Sequence, residues 1–273
     1  MMMSNPTENK PILLHYCLDE SVMAFSTMRA GGVGVGPYAG FNITHYCGDN
    51  PEAVSANRLS LCRLLGIDDA RLILPRQTHG TEIRLIDAEF LGQDKTSQEA
   101  LLEGVDGVMT QTAGVCIGVS TADCVPLLFY DKTHQAVAAI HAGWRGTVAH
   151  IVPKAVKAMQ HHFGTEPSNL SVVIGPCISQ QAFEVGDEVA EAFDAAGFRI
   201  DDIGCRYPAA ASGKWHINLS AACTEELLEA GVMLPNIMVA DICTYADERF
   251  FSARRLGVDS GRIFNGIMLR PQA

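Results

Sequence analysis

Apolar positions along the chain gather into short, dense runs. Val105 to Met109, Val115 to Val119, Pro126 to Tyr130 and Gln135 to Ile140 are nearly continuous apolar stretches cut by Gly, Asp or Pro. Runs of that length between turn residues predict buried strands. Arg71 to Leu74, Glu82 to Ile86, Trp215 to Leu219, Ile237 to Val239 and Ile263 to Leu269 predict more of them. So does Leu170 to Ile174, which stops at Gly175-Pro176. Val22 to Phe25 is a further short apolar run. The period changes elsewhere. From Pro51, residues Val54, Leu61, Leu64 and Leu65 fall on one helical face. Asp49 or Asn50 can cap that helix, Pro51 suits its first turn, and Gly66 suits its end. Thr147 to Phe163, Val185 to Phe193 and Ala221 to Ala230 read as further helices. The polar stretch from Phe90 to Glu103 reads as a surface loop.

Strands and helices mix without a strict βαβ period, and several strands follow one another directly. The pattern predicts an α/β (α+β) domain built on mixed sheets, not a doubly wound parallel sheet. There is no internal repeat or linker-like tract, so residues 12–273 are expected to form one domain after a flexible N-terminus, 1–11. The chain has 273 residues, of which 48% are hydrophobic and 19% charged, which excludes wholesale disorder. No apolar run reaches the length of a membrane span. The net charge of −11 is the wrong sign for non-specific nucleic-acid binding. Nine cysteines, an odd count without a C-x-x-C pair, match reduced thiols better than a disulfide framework. With a polar start that lacks a signal-peptide pattern, they predict a cytoplasmic protein.

Five glycines and one proline between Ala30 and Gly40 exclude helix and regular strand. Gly32-Val33-Gly34 is not a dinucleotide fingerprint, because Pro37 blocks a following helix. Arg29, just before this loop, makes it a candidate anion clamp. Three other residues stand at the ends of apolar runs beside turn residues: His79 in Arg76-Gln77-Thr78-His79-Gly80, Cys124 in Ala122-Asp123-Cys124-Val125-Pro126, and His141 in His141-Ala142-Gly143-Trp144-Arg145-Gly146. Strand ends are where distant side chains can converge. Two His and one Cys form a known three-ligand set for catalytic zinc, with a fourth position open. The same residues also read as core side chains, or as a Cys124 nucleophile with a histidine base. The deaminase pattern H-x-E with P-C-x-x-C is absent, since Ile178, Ser179 and Gln180 follow Pro176-Cys177. Arg29, Arg58, Arg76 and Arg145 lie in or near these segments, and guanidinium forks suit phosphate or carboxylate.

With these segments the chain resembles the YfiH family, also called laccase-domain or multicopper polyphenol oxidoreductase proteins. The resemblance spans Ser26-Thr27-Met28-Arg29-Ala30-Gly31-Gly32, Gly36-Pro37-Tyr38, Asn57-Arg58, Gln77-Thr78-His79-Gly80 and Asp106-Gly107-Val108-Met109-Thr110. It continues through the Cys124 and His141 segments, Ile174-Gly175-Pro176-Cys177-Ile178, Phe183-Glu184-Val185-Gly186, Cys243-Thr244 and Phe250-Phe251-Ser252-Ala253-Arg254-Arg255. Thr78 stands where many relatives have Val, and Phe183 where Tyr is usual. The resemblance implies mixed sheets layered between helices, similar to a group of cysteine hydrolases, and metal ligands at His79, Cys124 and His141. It implies phosphorolysis of adenosine, inosine, guanosine or methylthioadenosine, and deamination of adenosine. The expected partners are then purine nucleosides and phosphate, with Zn²⁺ as cofactor and Cu²⁺ able to load in vitro. Phosphate would be held by Arg29, Arg58 and Arg145, with Gln77 also at the substrate. Asp123 would orient a ligand or move a proton. The alternatives are a copper-dependent polyphenol oxidase, a hydrolase of cell-wall precursors with Cys124 as nucleophile, and a non-enzymatic binding protein.

Overall fold

A computed structural model describes residues 10–207 and 213–271; most of the expected flexible terminus lies outside them. In chain order the strands are β1 (Leu13–Tyr16), β2 (Val22–Thr27), β3 (Leu72–Ile73), β4 (Glu82–Leu85), β5 (Val105–Thr110), β6 (Cys116–Thr121), β7 (Val125–Asp131), β8 (Ala136–Ala142), β9 (Leu170–Ile174), β10 (Glu184–Val185), β11 (Gly204–Tyr207), β12 (Lys214–Ile217), β13 (Ile237–Val239) and β14 (Ile263–Leu269). The helices are α1 (Pro51–Leu65), α2 (Ala88–Leu91), α3 (Lys95–Leu101), α4 (Trp144–Val148), α5 (Ile151–Phe163), α6 (Asp187–Ala195), α7 (Ile200–Ile203), α8 (Leu219–Glu229) and α9 (Ala253–Leu256).

The strands form a six-stranded sheet, β13-β9-β7-β8-β5-β4, and a five-stranded sheet, β1-β2-β14-β6-β3. Both are mixed: β13–β9, β5–β4 and β3–β6 pair in parallel, the other neighbours antiparallel. A small antiparallel sheet joins β10, β12 and β11.

Alternation along each strand explains the continuous apolar runs. Val125, Leu127 and Phe129 of β7 and Ala138 and Ile140 of β8 face α5, α6 and α8. Leu128, Tyr130, Val137 and Ala139, one position along, face Ile117, Val119 and Ile267 of the other sheet. Phe264, Met268 and Cys116 face the opposite way, against Leu61, Cys62 and Leu65 of α1. Both large sheets are therefore covered on both faces, and the layers run helix, sheet, sheet, helix. The expected mixed-sheet fold is what forms.

Local chemistry decides the element ends. The Asn50 side chain accepts from the Glu52 and Ala53 N–H groups, and Gly66 ends α1 in a left-handed conformation. The stretch Phe90 to Glu103 is not a plain loop. Asp87 and Asp94 cap two short helices there. The single helix expected over Thr147 to Phe163 is broken. His150 takes a left-handed φ of 59°, which separates α4 from α5.

Candidate metal centre

The six-stranded sheet delivers the three candidate ligands to one end. β8 ends just after His141, and β7 begins just after Cys124, with Pro126 opposite His141 in the ladder. Cys124 lies on the short crossover by which the chain leaves β6 in one sheet and enters β7 in the other. His79 lies in the turn before β4. The donor atoms of His79, Cys124 and His141 lie within 4.8 Å of one another. Cys124 Sγ is 3.8 Å from His79 Nε2, and the two imidazoles meet edge-on with centroids 4.8 Å apart. His141 is buried, Cys124 is half-buried and His79 is exposed, so the group opens to solvent on one side.

A fourth residue organises the three. Asp106 in β5 is fully buried and uses both carboxylate oxygens. Oδ1 accepts from His141 Nδ1 at 2.8 Å and from the His79 N–H at 2.9 Å. Oδ2 accepts from the Thr78 and Gly80 N–H groups at 3.1 and 2.7 Å. One carboxylate thus shapes the turn that carries His79, whose φ is 62°. It also engages His141 Nδ1, which leaves Nε2 as the ring nitrogen turned to Cys124 and able to ligate a metal. The role of Asp106 was not read from the sequence. Its one signal there was a carboxylate inside an otherwise apolar strand.

Electrostatics favour a thiolate at Cys124. Burial alone would raise its pKa. The charge of His141, with hydrogen bonds from His141 and His79, outweighs this and brings the thiol to about 6. His141 moves the other way: burial opposes its charge, but Cys124 and Asp106 raise it to about 9. Asp106 is held below the usual carboxylate range; burial opposes ionisation, and the His141 hydrogen bond and backbone donors overcome it.

A zinc ion fits this donor set. Two imidazoles and a thiolate suit it chemically, and tetrahedral bonds of about 2.0–2.3 Å set a nitrogen–sulfur edge of about 3.6 Å. The observed 3.8 Å between Cys124 Sγ and His79 Nε2 is close to that edge. Gly143 is shaped around the group. A Cβ there would lie 2.7 Å from His79 Cδ2 and 3.1 Å from Cys124 Sγ.

The other candidate residues are spread more widely. Arg145 is exposed, its guanidinium stacks 4.2 Å over the Trp144 ring, and among the described residues that guanidinium makes no ion pair or hydrogen bond. Arg29 donates from Nε to Ala39 O at 3.0 Å, and its guanidinium lies 5.3 Å from the Phe251 ring. Arg58 is bound to the Asp69 carboxylate and to the Asp69 and Leu72 carbonyls, not to the trio. Arg76 pairs with Glu103 at 3.0 Å. Gln77 copies a strand neighbour: it donates to Ser120 O at 2.8 Å and accepts from Ser120 N–H at 2.7 Å, which pins the His79 turn to β6. Both oxygens of Asp123 are engaged, by Thr244 Oγ1 at 2.7 Å and the Arg254 N–H at 2.7 Å. Its φ of 92° places strain immediately before Cys124.

Comparison with known proteins agrees with this fold. The profile of a family described as multi-copper polyphenol oxidoreductase laccase matches residues 23–270, and the chain belongs to that family. It is 44% identical over 266 residues to a protein of Bacteroides thetaiotaomicron named purine nucleoside phosphorylase, covering 96% of this chain and 98% of the relative. It is 46% identical over 249 residues to a protein of an unknown prokaryotic organism named adenosine deaminase RL5, covering 91% and 94%. The crystal structure of YfiH from Bacillus licheniformis superposes with a TM-score of 0.86 at 26% identity, covering 94% of this chain and 96% of that one. Among the described residues no helix is long and apolar enough to cross a membrane.

Proposed function

We propose that this chain is a zinc-dependent, cytoplasmic enzyme that cleaves purine nucleosides with phosphate and also deaminates adenosine. The observation that carries the reading is the convergence of His79, Cys124 and His141 around a carboxylate-oriented imidazole, open to solvent on one side. The names of relatives above 40% identity over nine-tenths of the chain support the nucleoside chemistry. The substrates proposed are adenosine, inosine, guanosine and methylthioadenosine, with phosphate as co-substrate.

His79, Cys124 and His141 would hold the ion. Bound there, zinc supplies Lewis acidity that makes water a competent nucleophile near neutral pH. Asp106 fixes the His141 tautomer and the His79 turn. Asp123 is a positioning residue: it ties the Thr244 and Arg254 segments to the crossover that presents Cys124. Arg145 is the strongest candidate to hold phosphate, because its guanidinium is exposed, stacked on Trp144 and, among the described residues, paired with no anion. Arg29 and Gln77 take supporting roles, and Arg58 acts through α1.

The test uses protein of measured zinc content, incubated with adenosine with and without phosphate. Adenine and ribose 1-phosphate formed only with phosphate would support phosphorolysis. Inosine in both reactions would support deamination. Unchanged adenosine in both, at full zinc loading, would overturn the proposal.

A further inference from the structure

Cys177 and Cys243 sit opposite one another across an isolated parallel bridge beyond the end of β9. The Cys177 N–H donates to Ile242 O at 3.2 Å, and the Thr244 N–H donates to Cys177 O at 3.0 Å. Residues in register on neighbouring strands project to the same side, and such strands lie about 4.7–4.9 Å apart. That spacing falls inside the Cα window of about 4.4–6.8 Å that a disulfide requires. Both cysteines line one cavity of about 610 Å³, together with Ser179, Asn218, Thr224 and Asp241. None of the three metal-ligand candidates lines it.

We propose that Cys177 and Cys243 are an oxidisable dithiol, closed to a disulfide by a hydroperoxide that enters this cavity, and that closure acts on the segment carrying Cys124. Cys243 is half-buried and Cys177 is 8% exposed, so Cys243 meets the oxidant first. Burial opposes ionisation of Cys243, but the Ser179 hydroxyl and the N–H groups of Ser179, Ala246 and Tyr245 outweigh it and lower the thiol. Burial, with the neighbouring Cys243, pushes Cys177 up to about 12 and keeps it a protonated partner. In the first step the Cys243 thiolate attacks one peroxide oxygen, and the O–O bond breaks. Cys243 becomes a sulfenic acid, and hydroxide leaves from hydrogen peroxide, or an alkoxide from an organic hydroperoxide. In the second step Cys177 attacks that sulfur, the S–O bond breaks, and water leaves with the Cys177 proton. Two thiols have then lost two electrons to one peroxide.

The coupling runs through immediate chain neighbours. Ile178 N–H donates to Asp123 O at 2.9 Å, and Thr244 Oγ1 donates to Asp123 Oδ1 at 2.7 Å. Drawing two sulfurs to the roughly 2.0 Å of a disulfide moves both contacts, and with them the strained residue before Cys124.

The experiment treats the zinc-loaded full chain with stoichiometric hydrogen peroxide and maps peptides without reduction. The expected result is one linked pair joining Cys177 to Cys243, two hydrogens lighter than the separate peptides and released by dithiothreitol. In Cys177→Ala, Cys243 should instead be trapped as a dimedone adduct. Oxidised wild type should also surrender zinc to a chelator several-fold faster than reduced protein. This arm rests on the metal reading above, whereas the peptide map does not. Absence of the linked pair in wild type overturns the dithiol. A linked pair with unchanged zinc release overturns the coupling.

Discussion

Replacing Gly143 with alanine adds one methyl group beside the ligand trio. The new Cβ would stand 2.7 Å from His79 Cδ2 and 3.1 Å from Cys124 Sγ. Carbon atoms in ordinary contact lie about 3.5–4.0 Å apart, so the His79 ring must retreat by about 0.8 Å or more. Ligand distances in a metal site tolerate about 0.2 Å. The displacement is several times that margin. Disturbing groups that orient ligands typically weakens metal binding by about 10–100-fold, or about 1.4–2.7 kcal/mol, and this change moves a ligand directly. Backbone strain contributes nothing, because Gly143 has φ −76° and ψ 166°, which alanine adopts freely. The assay is zinc competition against a chelator of known affinity, with thermal melting of the metal-free proteins as the control for folding. The expected outcome is zinc affinity down by at least about tenfold and a melting point of the metal-free protein near that of wild type. A Gly143→Ala protein that holds zinc like wild type would refute the placement of the ion among these three residues.

Asp106→Asn puts an amide N–H₂ among the donors His141 Nδ1, Thr78, His79 and Gly80, so one donor must face another. Zinc affinity should fall about 10–100-fold in the same competition assay, and an unchanged affinity would remove Asp106 from the account. Arg145→Ala should cut phosphorolytic kcat/KM about 10–100-fold, the usual size of a lost charge-assisted contact, through a higher KM for phosphate. Adenosine deamination should be spared; equal loss of both activities would contradict a phosphate role. Glu226 gives a pH signature remote from the site. Burial, then Glu229 and Glu225, raise its carboxyl to about 8, and His150 Nδ1 lies 2.7 Å from its Oε1. A carboxyl raised on folding costs nothing below its ordinary pKa and increasingly destabilises as pH climbs toward 8. Glu226→Gln should therefore match wild-type stability near pH 5 and exceed it by about 2–4 kcal/mol near pH 9. Denaturant melts at both pH values decide this, and a gain that is equal at both would contradict it.

What could be read in the sequence depended on how local its cause was. The first long helix was legible from cap to cap because Asn50, Pro51 and Gly66 act on their own chain neighbours. The strands of the central sheets were legible because burial on both faces leaves nearly unbroken apolar runs. β1 was not anticipated, since it is defined by pairing with β2 and not by its own composition. The break at His150 went unseen because that residue lies inside a continuous helical pattern and neither Gly nor Pro marks it. At the site, His79, Cys124 and His141 stood out by residue type at strand ends. Asp106 did not, because its function comes from four donors on other segments. The arginines show the opposite limit. Arg58 and Arg145 look equally suited to phosphate in the sequence, and only their neighbours separate a guanidinium committed to Asp69 from one without an anion.

The central claim is that nucleoside chemistry depends on one metal ion at the trio. It is tested most directly by stripping the protein with a chelator, restoring zinc in measured steps, and following adenosine turnover at each step. The account predicts no turnover without metal, a linear rise, and a break at one equivalent per chain, with no recovery in Cys124→Ser. Full turnover by stripped protein, abolished by thiol alkylation, would contradict it and make Cys124 a nucleophile.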